Sequence, residues 1–326
     1  TGSGLSITEW QPILGVIPPT SEAGWEEAFA KYREIPEYAL INKGMSLDAF
    51  KTLYWWEWAH RLLGRLVGAI FLFPFIYFLV RGSIPKPFVS RIAALFLLGG
   101  AQGALGWFMV KSGLSERVDV SQYRLAAHLA LAVGIAAYAF WLALSIGGGE
   151  RRARKAGHLL GVGCACLAGL VYLQIVMGAL VAGLKAGYAS NTWPLMAGYF
   201  VPPGLDALSP WYMNLFENPL AAQFVHRMLG YAAAVLAIFL LAFAARAPSA
   251  VQLRAPAFAL TLAIALQIAL GVATVVYGVP LGFALAHQAN GVLVFALALL
   301  LLHKATVGFD LPIPSQPDAK KVWEAR

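Results

Sequence analysis

The sequence predicts an all-α polytopic membrane protein built as two pseudo-symmetric four-helix bundles, and three observations carry that prediction. Of the 326 residues, 60% are apolar and only 12% charged, whereas a soluble domain carries about 25% charged residues. Seven apolar runs each reach the roughly 20 residues that a helix needs to cross the hydrocarbon core, and a block of residues in the first half of the chain recurs in the second. This composition, with a mean hydropathy of +0.68, excludes a water-soluble enzyme. The 24 Lys and Arg against 16 Asp and Glu are scattered between apolar runs rather than gathered on one basic face, which excludes nucleic acid as a partner. The lipid bilayer is the partner that the composition implies.

Residues 1–57 precede the first run and read as an outer segment, periplasmic or facing an intermembrane space. The runs follow near 60–80, 91–110, 124–146, 158–182, 221–245, 256–278 and 284–303. Most are apolar all round, so hydrophobic periodicity does not orient them. The connections do. Arg81, Lys86 and Arg91 lie in the first, Arg151, Arg152, Arg154 and Lys155 in the third (147–157), and Arg246 and Arg254 in the fifth, which places these on the cytoplasmic or matrix side. Residues 111–123, 183–220 and 279–283 carry balanced charge or none and face outward. The halves are then 58–146 and 158–303, with an inner tail over 304–326 that carries Lys304, Lys320, Lys321 and Arg326. An outward start and an odd number of spans lead to the expectation of a further helix upstream of Thr1. Cys164 and Cys166, about 200° apart on one helix, are expected to be small buried apolar residues rather than a disulfide or metal pair.

The repeat is specific. His60-Arg61-Leu62-Leu63-Gly64 recurs as His226-Arg227-Met228-Leu229-Gly230, Gln102-Gly103-Ala104-Leu105-Gly106 as Gln267-Ile268-Ala269-Leu270-Gly271, and Ala127-His128 as Ala286-His287. From the first His to the Gln is 42 residues in one half and 41 in the other; from the Gln to the second His is 26 against 20. A fainter echo joins Glu9-Trp10-Gln11-Pro12, followed by Pro18-Pro19, to Thr192-Trp193-Pro194, followed by Pro202-Pro203. Both copies have the same orientation, so the repeats are parallel about an axis along the membrane normal.

Ionisable residues inside membrane spans mark functional sites, and the six His separate by position. His60, His128, His226 and His287 lie one or two turns inside the outer boundary. His158 and His303 lie at inner ends beside basic residues and read as interfacial. The repeated four form two pairs, one His from each of two facing helices, which is how a helix bundle builds a cofactor site. Two imidazoles on opposite walls suit the axial positions of a haem iron. Zinc would want three or four converging ligands, and a proton relay would want carboxylates that the spans lack. Gly64, Gly68, Gly103, Gly106, Gly134, Gly230, Gly271 and Gly291 either make room for a macrocycle or serve close helix packing. Arg61, Arg65 and Arg227 suit haem propionates or lipid phosphate. Glu57 shares a helical face with His60, and its counterpart is Gln223. A repeat that differs at one carboxylate indicates two sites with different tasks, unless Glu57 is simply an interfacial acid.

On these residues the chain resembles the haem A synthases of the mitochondrial and alphaproteobacterial branch. Thr1 to Trp10 with Pro12, Gly15, Pro18 and Pro19 is similar to the first outer loop of that branch, and Tyr54 to Arg65, YWWEWAHRLLGR, to its signature at the second helix. The family has eight helices, so the resemblance implies that the first is missing here and that seven are complete. A bacterial branch has a Cys pair in the first outer loop; this chain has none there. The resemblance implies conversion of haem O to haem A, in which a ring methyl becomes a formyl group through two hydroxylations and loss of water. It places substrate haem at His60 and His128, a haem b relay at His226 and His287, and an essential carboxylate at Glu57. It also implies an electron donor, an upstream haem O synthase (a farnesyl transferase), and a bacterial inner membrane or a mitochondrial one, with terminal oxidases as the users of haem A. The oligomeric state is left open, a homo-oligomer included. Two other classes fit the His pattern: a bis-His dihaem electron carrier and a haem transporter or chaperone.

Overall fold

The computed structural model describes residues 3–10, 14–114, 118–147 and 157–307. Thr1 and Pro12, Glu116 and Arg117, the basic run Arg151 to Lys155, and Lys320, Lys321 and Arg326 lie outside the described residues. The chain is helical: α1 (Glu22–Arg33), α2 (Pro36–Leu40), α3 (Leu47–Val80), α4 (Lys86–Lys111), α5 (Gln122–Gly147), α6 (His158–Gly183), α7 (Asn214–Glu217), α8 (Pro219–Arg246), α9 (Val251–Val276) and α10 (Leu281–Thr306). Seven of these, α3 to α6 and α8 to α10, are long and apolar enough to cross a membrane, as the composition predicted. Among the described residues there is no β-strand, only an isolated bridge between Met196 and Tyr199.

Helix ends follow local chemistry. Ser21 caps α1 by accepting from Gly24 N at 3.2 Å, and Ser46 caps α3 by accepting from Ala49 N at 3.2 Å; each satisfies a donor that the first turn cannot. α3 closes at Gly82, whose φ of 63° lets its N–H reach Leu79 O at 3.0 Å while Ser83 N reaches Phe78 O at 3.0 Å. Gly278 (φ 74°) ends α9 with the same pair of bonds, to Val275 O at 3.1 Å and, through Val279 N, to Thr274 O at 2.7 Å. A side chain at either position would strain this left-handed turn.

α3 begins at Leu47, well before the apolar run near 60, because hydropathy sees only the lipid-crossing stretch. Its outer turns instead join α1 and α2 around a compact aromatic core of Phe29, Tyr32, Ile35 and Phe50, with Leu5 and Val110. Phe29 stacks on Phe50 at 4.9 Å. This outer segment is therefore built rather than a simple loop.

The chain divides into two compact units: 1–136 with 175–190 and 195–226, and 137–174 with 191–194 and 227–326. The first holds the outer core just described. In the second, α9 buries Leu253, Ala257, Leu260 and Ile264 at the three-to-four-residue spacing of one helical stripe. α10 buries Val294, Ala298, Leu301 and Ala305. Small residues along such stripes let helices approach closely where lipid supplies no hydrophobic drive.

Candidate functional site

The outer end of α3 carries the densest polar arrangement in the first unit. Glu57 is only 7% exposed, and a buried carboxylate requires a charged or hydrogen-bonding partner. Arg61, one turn on, provides it through Nε at 2.7 Å. Two further N–H groups of Arg61 go to main-chain carbonyls of the outer segment, from Nη1 to Glu9 O at 3.0 Å and from Nη2 to Ile7 O at 2.9 Å. The guanidinium thus ties the carboxylate to the strap that runs above it. Arg65, a turn deeper, shares with Arg61 a cleft of about 250 Å³ also lined by Ser6, Glu9, Lys31 and Tyr54.

The repeat reproduces this strap with a different division of labour. Arg227 Nη1 donates to Thr192 O at 3.0 Å, so Thr192 stands to Arg227 as Glu9 stands to Arg61. Gln223, the counterpart of Glu57, donates through Nε2 to Ser190 O at 3.0 Å, and Ser190 precedes Thr192 by two residues as Ile7 precedes Glu9. An amide can donate to that carbonyl. A carboxylate cannot, and in the first unit the arginine takes over the bond while the carboxylate becomes an acceptor.

Each repeated His is half-buried except His60, which is exposed. His128 and His287 sit six residues inside α5 and α10, and His226 seven inside α8. His60 and His128 both lie in the first unit. His226 belongs to the first unit and His287 to the second. A glycine on a neighbouring helix makes way for three of the rings: a Cβ on Gly106 would meet His128 Cε1 at 2.9 Å, one on Gly271 would meet His287 Cε1 at 2.9 Å, and one on Gly178 would meet His226 Cε1 at 3.2 Å.

A haem needs an imidazole lone pair and an unfilled apolar face beside it. Along α3, His60, Gly64 and Gly68 follow at four-residue steps on one face, and a Cβ on Gly64, Gly68 or Gly103 would meet nothing within 4 Å. The residues of the first unit fit such a group. His158 is exposed at the start of α6. His303, in the last turn of α10, is 1% exposed and lies edge-on to Trp141 with ring centroids 4.9 Å apart. Cys164 is buried as expected, whereas Cys166 is exposed.

Two amides of the repeated block, to which the sequence assigns no role, reach the imidazole-bearing helices. Gln102 Nε2 donates to His128 O at 3.0 Å, and Gln267 Nε2 donates to His287 O at 2.9 Å. Their recurrence in the sequence marks the two positions, and only the helix packing shows what each amide touches.

The chain matches the cytochrome oxidase assembly protein family over residues 1–299. It is 48% identical over 308 residues to a haem A synthase of Parvibaculum lavamentivorans, covering 93% of this chain and 87% of that protein. It is 46% identical over 319 residues to the haem A synthase of Paracoccus denitrificans, covering 96% and 83%. The haem A synthase of Nitrosospira multiformis is 44% identical over 306 residues, covering 93% and 86%.

Proposed function

The chain belongs to the haem A synthase family of cytochrome oxidase assembly proteins, and from that premise we propose that it is a membrane oxidoreductase that oxidises one ring methyl of haem O to a formyl group, giving haem A. It is an integral protein of the bacterial inner membrane, as its seven apolar helices and bacterial relatives require. In this reading the half 58–146 takes substrate haem between His60 and His128. The half 158–303 takes haem b, for which the repeat pairs His226 with His287, and Arg61, Arg65 and Arg227 meet propionates. Haem b, when bound, supplies one-electron relay. An electron donor and the farnesyl transferase that makes haem O are the partners the reaction requires.

One observation carries the assignment of roles: the repeat breaks its symmetry at Glu57 and Gln223, and Glu57 is buried, charge-paired and one turn from His60. With Oε1 engaged by Arg61, the carboxylate is oriented, and Oε2 is the oxygen that accepts a proton or faces positive charge developing at the methyl carbon. Arg61 also closes the strap over this carboxylate, which limits access of bulk water to it.

Pigment extraction from purified protein tests the reading. Haem O, its hydroxylated form or haem A beside haem b is expected. Glu57→Ala should retain bound haem and lose formyl production, and His226→Ala should lose haem b while the other pigment persists. Haem b alone at two per chain in active protein would make the molecule an electron carrier. Normal haem A output from Glu57→Ala removes that residue from the chemistry, and equal loss at both sites in His226→Ala argues against separable halves.

A further inference from the structure

The two helix-borne His that follow the repeated Gln are braced differently. In the second unit, His287 Nδ1 lies 3.1 Å from Gln267 O. A carbonyl only accepts, so Nδ1 carries the proton and Nε2 is the ring's acceptor nitrogen, the one a metal would take. Gln267 Nε2 donates to His287 O at 2.9 Å and stands 3.3 Å from His287 Nε2. Its own Oε1 is fixed in turn by Asn290 Nδ2 at 2.8 Å, and the same amide donates to Ala263 O at 2.9 Å. Asn290 is 7% exposed and lies three residues after His287, on the same helical face. Side chain, amide and imidazole form a closed chain of bonds.

The first unit lacks two links of that chain. Gln102 Nε2 again donates to His128 O at 3.0 Å, and it approaches both ring nitrogens, Nδ1 at 3.1 Å and Nε2 at 3.3 Å. Among the described residues, neither His128 nitrogen has a carbonyl acceptor, and Gln102 Oε1 is buried with no hydrogen-bond partner. The position that matches Asn290 is Leu131, three residues after His128, and it has no donor to offer. A half-satisfied amide next to an imidazole with two accessible tautomers can rearrange; a fully satisfied one resists.

We propose that Asn290, as a positioning residue acting through Gln267, locks His287 into a permanent haem-holding arrangement, whereas Leu131 leaves Gln102 and His128 able to rearrange, so that the first site releases its macrocycle and the second retains its own. This rests on the reading of His128 and His287 as ligands of an exchanging substrate haem and a resident haem b. An enzyme whose product is itself a haem must let one macrocycle leave each turnover while keeping the other. The two sites share the Gln and the His that follows it, so a difference in how firmly that His is held has to come from a position where the halves differ, and Asn290 against Leu131 is such a position.

The test is haem transfer from the purified, pigment-loaded protein to excess apomyoglobin, with haem b scored separately from haem O and haem A by the spectra of their pyridine adducts. Outer-shell partners of a metal-ligating His are worth about 10–100-fold in affinity. Asn290→Leu should therefore release haem b about 10–100 times faster and leave the rate for haem O and haem A unchanged. Leu131→Asn should slow release of haem O and haem A by a comparable factor, and it adds a bond rather than removing one, so it serves if Asn290→Leu does not fold. An unchanged rate in either folded variant overturns the proposal. His287→Ala separates this from the reading beneath it: haem b kept by that variant means that His287 is no ligand, whatever Asn290 does.

Discussion

Arg61 shows how a single side chain joins a site to its cover. Removing it would leave Glu57 buried without its cation and free two carbonyls of the outer segment, and breaking a buried pair from one side costs about 3–5 kcal/mol. Arg61→Ala should therefore lower the thermal midpoint and make the segment around Ile7 to Glu9 sensitive to limited proteolysis. Glu57→Gln should do neither, because a Gln at that position can donate to the strap as Gln223 does to Ser190 O. Equal proteolytic sensitivity of the two variants would contradict the division of labour between carboxylate and amide. The HRxxG repeat was plain in the sequence. The strap bonds were only a faint echo there, for a physical reason: they engage main-chain carbonyls, so Ile7 and Glu9 need no resemblance to Ser190 and Thr192.

At the level of helices, glycines separate into those that admit a ring and those that admit a backbone. A Cβ on Gly106 meets only the far end of a side chain, His128 Cε1 at 2.9 Å, whereas one on Gly183 meets Gln122 Cα at 2.8 Å. Gly106→Ala should leave the melting temperature near that of the parent while shifting the visible spectrum and lowering haem content, because the ring can swing. Gly183→Ala should cost about 1–3 kcal/mol, as overpacking against backbone does. Calorimetry and pigment content of the two variants decide this, and the reverse pattern would refute the distinction. Helix number followed from run length, since lipid leaves no other solution for twenty apolar residues. The outer turns of α3 did not, because their partners Phe29 and Tyr32 come from α1 and hydropathy carries no information about tertiary partners.

At the scale of the whole molecule, Glu37 gives the outer segment a response to pH. Glu37 is buried in it, and burial pushes its carboxyl up to about 7 from an ordinary 4.5; the Tyr32 hydroxyl and Lys185 pull the other way, and Asp119 adds to the rise. The folded protein then keeps a proton between about 4.5 and 7 that the unfolded chain has released. Folding stability from this group is complete below the lower value, falls as pH rises towards 7 and is flat above it. Thermal midpoints between pH 5 and 8 should decline accordingly, and Glu37→Gln should abolish the decline. A slope that survives in Glu37→Gln would assign it elsewhere.

Composition alone determined that this chain lives in a membrane, run length its seven spans, and the repeat which four His and which carboxylate stand apart. These are one-dimensional properties, since solvent, helix length and duplication all act on the linear order of residues. Tertiary structure decided what each of those groups touches: that Arg61 serves Glu57 and the strap together, that His303 is buried against Trp141, and that Asn290 completes the bracing of His287 while Leu131 leaves His128 without it. Hydrogen bonds between helices join residues 20 or more positions apart, and their geometry exists only once the helices have packed.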